Sequence, residues 1–143
     1  MTDHSATTIL LVGSDAALLE GLVQTLAARG YTTAVASSLQ EAQEYAATNV
    51  PLVAVIERDL AAATPAVLLA IPLVRGGALV VFHHRPDAGG ILGPPAQRAV
   101  LADLALPLER NRLLALLQHV EERAHATGRQ AVDAPSRREN FSP

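Results

Sequence analysis

Three short, unbroken apolar runs constrain this chain more than any other feature: Ile9-Leu10-Leu11-Val12, Leu52-Val53-Ala54-Val55-Ile56 and Ala78-Leu79-Val80-Val81-Phe82. A strand with one wet face alternates apolar and polar residues. These runs do not alternate, so each must be covered on both faces. Such strands belong to parallel sheets, whose connections cross over the sheet and carry helices. The segments between the runs read accordingly. Leu18, Leu19, Leu22, Val23 and Leu26 form a stripe of helical period that opens at Ser14-Asp15 and stops at Gly30. Residues 31–36, rich in Thr and Val, read as a second strand. Ser38 and Glu41 have the spacing of a capping box, opening a helix that runs to about Thr48.

Further along, Thr64-Pro65 reads as a cap followed by Pro at the first helical position, starting a short helix that ends before Pro72. Residues 85–95 read as a loop broken by Gly89-Gly90 and Pro94-Pro95. A short helix over 96–101 and a fifth strand over Asp103-Leu104-Ala105-Leu106 follow. Leu113, Leu116, Leu117 and Val120 then mark a helix over 108–125. The expected architecture is a three-layer α/β/α fold, flavodoxin-like, with a five-stranded parallel sheet in the order 2-1-3-4-5. The chain divides into an extension over 1–7, a domain over 8–126 and a flexible tail or linker over 127–143. In such a sheet the functional edge lies at the carboxyl ends of the strands.

Composition removes several function classes. The chain has 143 residues and no cysteine, so disulfide scaffolds, thiolate zinc sites and cysteine nucleophiles are out. All 11 basic residues are Arg, and without a Lys amine neither Schiff-base nor P-loop chemistry is possible here. A net charge of −3 and 3% aromatics offer neither a basic field nor stacking platforms for nucleic acid. The apolar stretch over 60–74 is shorter than the roughly 20 residues a bilayer needs and holds Pro65 and Pro72. Residues 1–8 have no signal-peptide pattern, so the cytoplasm is the expected location.

Four pieces together resemble the bacterial response-regulator receiver family, the CheY-like domains. They are Ile9-Leu10-Leu11-Val12-Gly13-Ser14-Asp15, Ala28-Arg29-Gly30-Tyr31, Pro51 to Glu57, and Ala105-Leu106-Pro107. The resemblance spans about residues 9–120. It implies a site where a phospho-acceptor Asp, a pair of acids holding Mg²⁺, a Lys and two switch residues meet. Here the acid-pair positions hold Gly13 and Ser14, with Asp15 next to them. The acceptor position holds Glu57. The switch positions hold His83 and Asp103, and the Lys-Pro position holds Leu106-Pro107. Only the proline matches. A Glu carboxylate stands one methylene further out than Asp and misses the in-line geometry of phosphoryl transfer. Glu57 is expected to pair with Arg58 or His83, or to mimic a phosphorylated acceptor.

The resemblance therefore implies a pseudo-receiver: no enzyme, no catalytic residue, no metal site and no cofactor. It would work in signal transduction by binding another protein, or itself as a homodimer through the helix 4–strand 5–helix 5 face. Two alternatives remain at this point. One is a small-molecule sensor using the emptied crevice, discriminated by a deep apolar pocket under Gly13, Glu57 and Leu106. The other is a residual Mg²⁺-dependent phospho-acceptor. His83 and His84 cannot share one metal ion, because neighbours on a strand point to opposite faces.

Overall fold

The computed structural model describes residues 7–84 and 91–141, with side chains described as far as residue 126. The elements run β1 (Thr8–Val12), α1 (Ala16–Ala28), β2 (Thr32–Ala36), α2 (Leu39–Thr48), β3 (Val53–Glu57) and α3 (Arg58–Ala63). They continue with α4 (Pro65–Leu69), β4 (Ala78–His83), α5 (Pro94–Ala99), β5 (Val100–Ala105) and α6 (Arg110–Phe141). The five strands form one parallel sheet in the order β2-β1-β3-β4-β5, as the unbroken apolar runs require.

Alternation along the strands splits the core into two layers. Ile9, Leu11, Val53, Val55, Val80, Phe82 and Leu104 face Leu19, Leu22 and Leu26 of α1 and Leu113, Leu117 and Val120 of α6. Leu10, Val12, Ala54, Ile56, Leu79 and Val81 face α2, α3, α4 and α5 on the other side, through residues such as Leu39, Ala42, Ala61, Leu68 and Ala96. Both faces of β1 and β3 are sealed, and that is why neither strand alternates. Truncating one of these side chains, such as Leu22, to Ala costs about 3 kcal/mol.

The helix ends follow the sequence signals where those are local. Asp15 caps α1, its Oδ1 accepting from the Leu18 N–H at 3.1 Å. The capping box forms around α2: Ser38 Oγ accepts from the Glu41 N–H, and Glu41 Oε1 accepts from the Ser37 N–H. At the base of the sheet, Thr7 Oγ1 donates to Glu121 Oε2 at 2.8 Å, tying α6 to the start of β1. Burial next to Glu121 raises the Tyr31 phenol above its ordinary pKa of 10.0, burial being the larger cause.

Four expectations need correction. The chain turns into α3 directly at Arg58, before the Thr64-Pro65 start that the sequence marks; α4 begins there as a second short helix. Pro94 and Pro95 do not break the chain but occupy the first turn of α5, where a missing N–H costs nothing. β5 starts at Val100 and ends at Ala105, instead of spanning 103–106. Its pairing slips by one residue, Leu79 opposing Val100 and Val80 opposing Ala102, so Leu101 bulges out. The last helix does not stop near His125; its backbone stays helical to Phe141 through Gly128 and Pro135, and nothing among the described side chains accounts for this. The Gly89-Gly90 reading and most of the 1–7 extension lie outside the described residues.

Candidate functional site

The carboxyl ends of β1, β3, β4 and β5 deliver Gly13, Ser14, Glu57, His83, Asp103 and Leu106 to one edge of the sheet. Alternation then sorts them. Gly13 and Glu57 continue the α1/α6 side of β1 and β3, whereas His83 and Asp103 continue the opposite side, with Val81.

On the first side stands Glu57, the last residue of β3, only 6% exposed. Its Oε1 accepts two hydrogen bonds from one residue, the Ser14 N–H at 2.8 Å and the Ser14 hydroxyl at 2.9 Å. A buried carboxylate needs such donors, because an unpaired charge out of water costs several kcal/mol. Gly13 lies beside it. A Cβ at Gly13 would stand 3.3 Å from Phe82 Cζ and 3.5 Å from both Glu57 Oε1 and Leu19 Cδ2. A methyl group at this position would press on the Phe82 ring, with Glu57 and Leu19 at ordinary van der Waals distance. Leu106, 1% exposed, is core, and its N–H donates to the His83 carbonyl at 2.9 Å. The peptide from Leu106 to Pro107 is cis.

On the second side Arg58 Nη1 donates to Asp103 Oδ2, and His83 Nδ1 lies 3.3 Å from Asp103 Oδ1. The expected pairing of Glu57 with Arg58 or His83 is thus replaced: both turn to Asp103, across the sheet from Glu57. The next residue, His84, returns to the first side, its Nε2 3.8 Å from Asp15 Oδ2. The two histidines face different carboxylates, as strand alternation demands. The β5–α6 turn is fastened by Glu109, whose Oε1 accepts from the Ala105 N–H at 2.7 Å. That backbone bond, and then the Arg112 side chain, hold the Glu109 carboxyl below its ordinary pKa.

Sequence reasoning missed three participants. Phe82 was read only as strand core, Arg58 only as a partner for Glu57, and Glu109 not at all. Glu109 had a signal: it stands four residues after Ala105, just before α6 begins, where a carboxylate can reach back to a free N–H.

Comparisons with solved structures return the same architecture. No family model matches the sequence, and no curated protein matches it. A CheY-like response-regulator receiver domain from Methylobacillus flagellatus superposes with a TM-score of 0.65 at 20% identity, covering 80% of this chain and 98% of that one. The fold is that of a response-regulator receiver. The signal receiver domain of an HD domain-containing protein from Pseudomonas fluorescens Pf-5 gives 0.64 at 18% identity, with 91% and 97% covered. A response regulator from Burkholderia pseudomallei, solved with a phosphorylated aspartic acid, a calcium ion and citrate, gives 0.60 at 18%, with 90% and 75% covered.

Among the described residues, the Glu57 carboxylate at this edge is bonded by the Ser14 hydroxyl and amide, with Phe82 and Leu19 beside Gly13. Asp15 is engaged as the α1 cap. Among the described residues no group of three His, Asp or Glu side chains is arranged to hold a metal ion, and no helix is long and apolar enough to cross a membrane.

Proposed function

We propose that this receiver-fold domain works in signal transduction without being phosphorylated, as a module that binds another protein or a second copy of itself. The observation that carries the reading is the Glu57–Ser14 pair. The residue at the acceptor position is buried and already accepts both donors from the loop that would otherwise supply the acid pair. A phosphoryl donor would have to displace those bonds, with no Lys at Leu106 to neutralise the product. Phe82 and Leu19 crowd Gly13, and Leu106 is buried in the core, which speaks against a small-molecule sensor seated beside Gly13.

The contact face we favour is α5–β5–α6. β5 is an edge strand, and its bulged Leu101 is 44% exposed, with Leu108 at 86% in the turn that follows. Residues 127–143 would serve as a tail or linker, and the cytoplasm as the place of action.

The test is incubation with Mg²⁺ and acetyl phosphate, read by intact mass, and with Mg²⁺ and beryllofluoride, read by thermal melting. The expected result is no mass gain and no shift. A phosphoryl adduct, or a saturable Mg²⁺-dependent rise in melting temperature, overturns the proposal.

A further inference from the structure

At the opposite edge of the sheet, where β4 and β5 begin, a cleft of about 250 Å³ opens between α5 and α6. We infer that this cleft binds a small organic anion, a phosphate or carboxylate on a compact apolar body, through Arg98 and Arg123. This goes beyond the reading of the acceptor crevice and does not depend on it; the cleft lies on the α5–β5–α6 face, so an anion held there would stand at the proposed contact surface.

The cleft is shaped by the turn before β4. Gly76 has φ +86°, a left-handed conformation that glycine adopts without strain, and a Cβ there would press to 3.1 Å from Ala124 Cα of α6. A Cβ on Gly77 would run into the Leu52 carbonyl oxygen. The turn therefore lies flat between β3 and α6 and leaves a hollow beside it. Leu101 contributes apolar wall, with Val120 buried beneath it.

The charges in the lining are all of one sign. Arg98 and Arg123 both line the cleft, and among the described residues no carboxylate does. Arg58 and Arg112 are taken up by Asp103 and Glu109. Among the described residues neither Arg98 nor Arg123 has such a partner. Two arginines without a carboxylate partner among the described residues, lining one hollow on a chain of net charge −3, have the chemistry of an anion receptor. Guanidinium recognises planar or tetrahedral oxyanions bidentately, and the apolar wall favours a ligand with a carbon body over the bare ion. The volume falls below the roughly 300–1,000 Å³ of drug-sized sites, so the ligand is small.

The test is a titration of the full chain, followed by amide chemical shifts, with phenyl phosphate and with inorganic phosphate as probes. Saturable shifts centred on Gly76, Gly77 and Leu101 are expected, with phenyl phosphate binding at least about fivefold tighter than inorganic phosphate. Arg98→Ala and Arg123→Ala should each weaken binding about tenfold, while Arg29→Ala, an exposed arginine outside the cleft, should not. Unchanged melting temperatures certify that the variants are folded. Absence of saturation by about 20 mM, equal binding by the Arg98→Ala/Arg123→Ala double variant, or an equal loss on Arg29→Ala overturns the inference.

Discussion

Gly13→Asp puts an acid at the position that the proposed reading matches to one of the receiver's metal-binding pair, and the structure says how the site would respond. Gly13 does not have positive φ, so its backbone tolerates a side chain. The Cβ alone meets Phe82 Cζ at 3.3 Å and Glu57 Oε1 at 3.5 Å. The ring must give by a few tenths of an ångström, so Gly13→Ala should cost about 1 kcal/mol. Asp adds a second carboxylate beside the buried Glu57 carboxylate, taken at a separation of about 5 Å. At an effective dielectric near 20, two like charges at that distance repel by about 3 kcal/mol. Gly13→Asp should therefore be less stable than Gly13→Ala by about 3 kcal/mol at pH 7. In urea unfolding that lowers the midpoint by about 1.5 M for an m-value near 2 kcal/mol/M. The double variant Gly13→Asp/Glu57→Gln should recover most of the difference, because the repulsion needs both charges. If Gly13→Asp and Gly13→Ala unfold at the same midpoint, or if Glu57→Gln restores nothing, Glu57 is not the fixed carboxylate of this crevice.

Two other perturbations probe the same framework. Ser14→Ala removes one of the two donors to Glu57 Oε1 and leaves the backbone N–H, so it should cost about 1–2 kcal/mol and lower the calorimetric melting temperature by about 3–8 °C; an unchanged melt would mean that the hydroxyl bond contributes nothing. Tyr31 has its pKa raised above 10.0 in the fold, chiefly by burial. Its protonated form is thus favoured by folding. The contribution is complete below the unfolded value near 10 and is lost as pH rises through the folded value. Alkaline stability should fall more steeply for the native chain than for Tyr31→Phe, and with no lysine and only two tyrosines the comparison is clean.

Much of the fold was legible because its strongest signals are local. The apolar runs of β1, β3 and β4 announce a doubly covered sheet, and the Asp15 and Ser38 caps announce where α1 and α2 begin. The signals that misled were those with two readings. Pro94-Pro95 suits a loop and a helix's first turn equally, and context chose the helix. Val100-Leu101-Ala102 continues a helical stretch or opens a strand, and the choice was made by β4, which needed an outer partner. Arg58 follows a buried strand with no cap signal, so α3 was invisible.

The site was harder to read than the fold, and for a related reason. Where one face of a strand is wet, alternation tells which side chains share a face. In β1, β3 and β4 both faces are buried, so the sequence carries no mark of sidedness. Glu57 ends β3 and His83 ends β4, yet nothing in the apolar runs tells that one continues the α1/α6 side and the other the opposite side. Their pairing follows from that parity. On the α1 side Glu57 finds the donors of Ser14; on the other side Asp103 collects both Arg58 and His83. The two clusters sit on opposite faces of one sheet, joined by the backbones of β3 and β4. Gly13→Asp should accordingly leave the Arg58–Asp103–His83 cluster in place while it weakens the fold, and histidine ring shifts of His83 that stay constant across that variant would show the division.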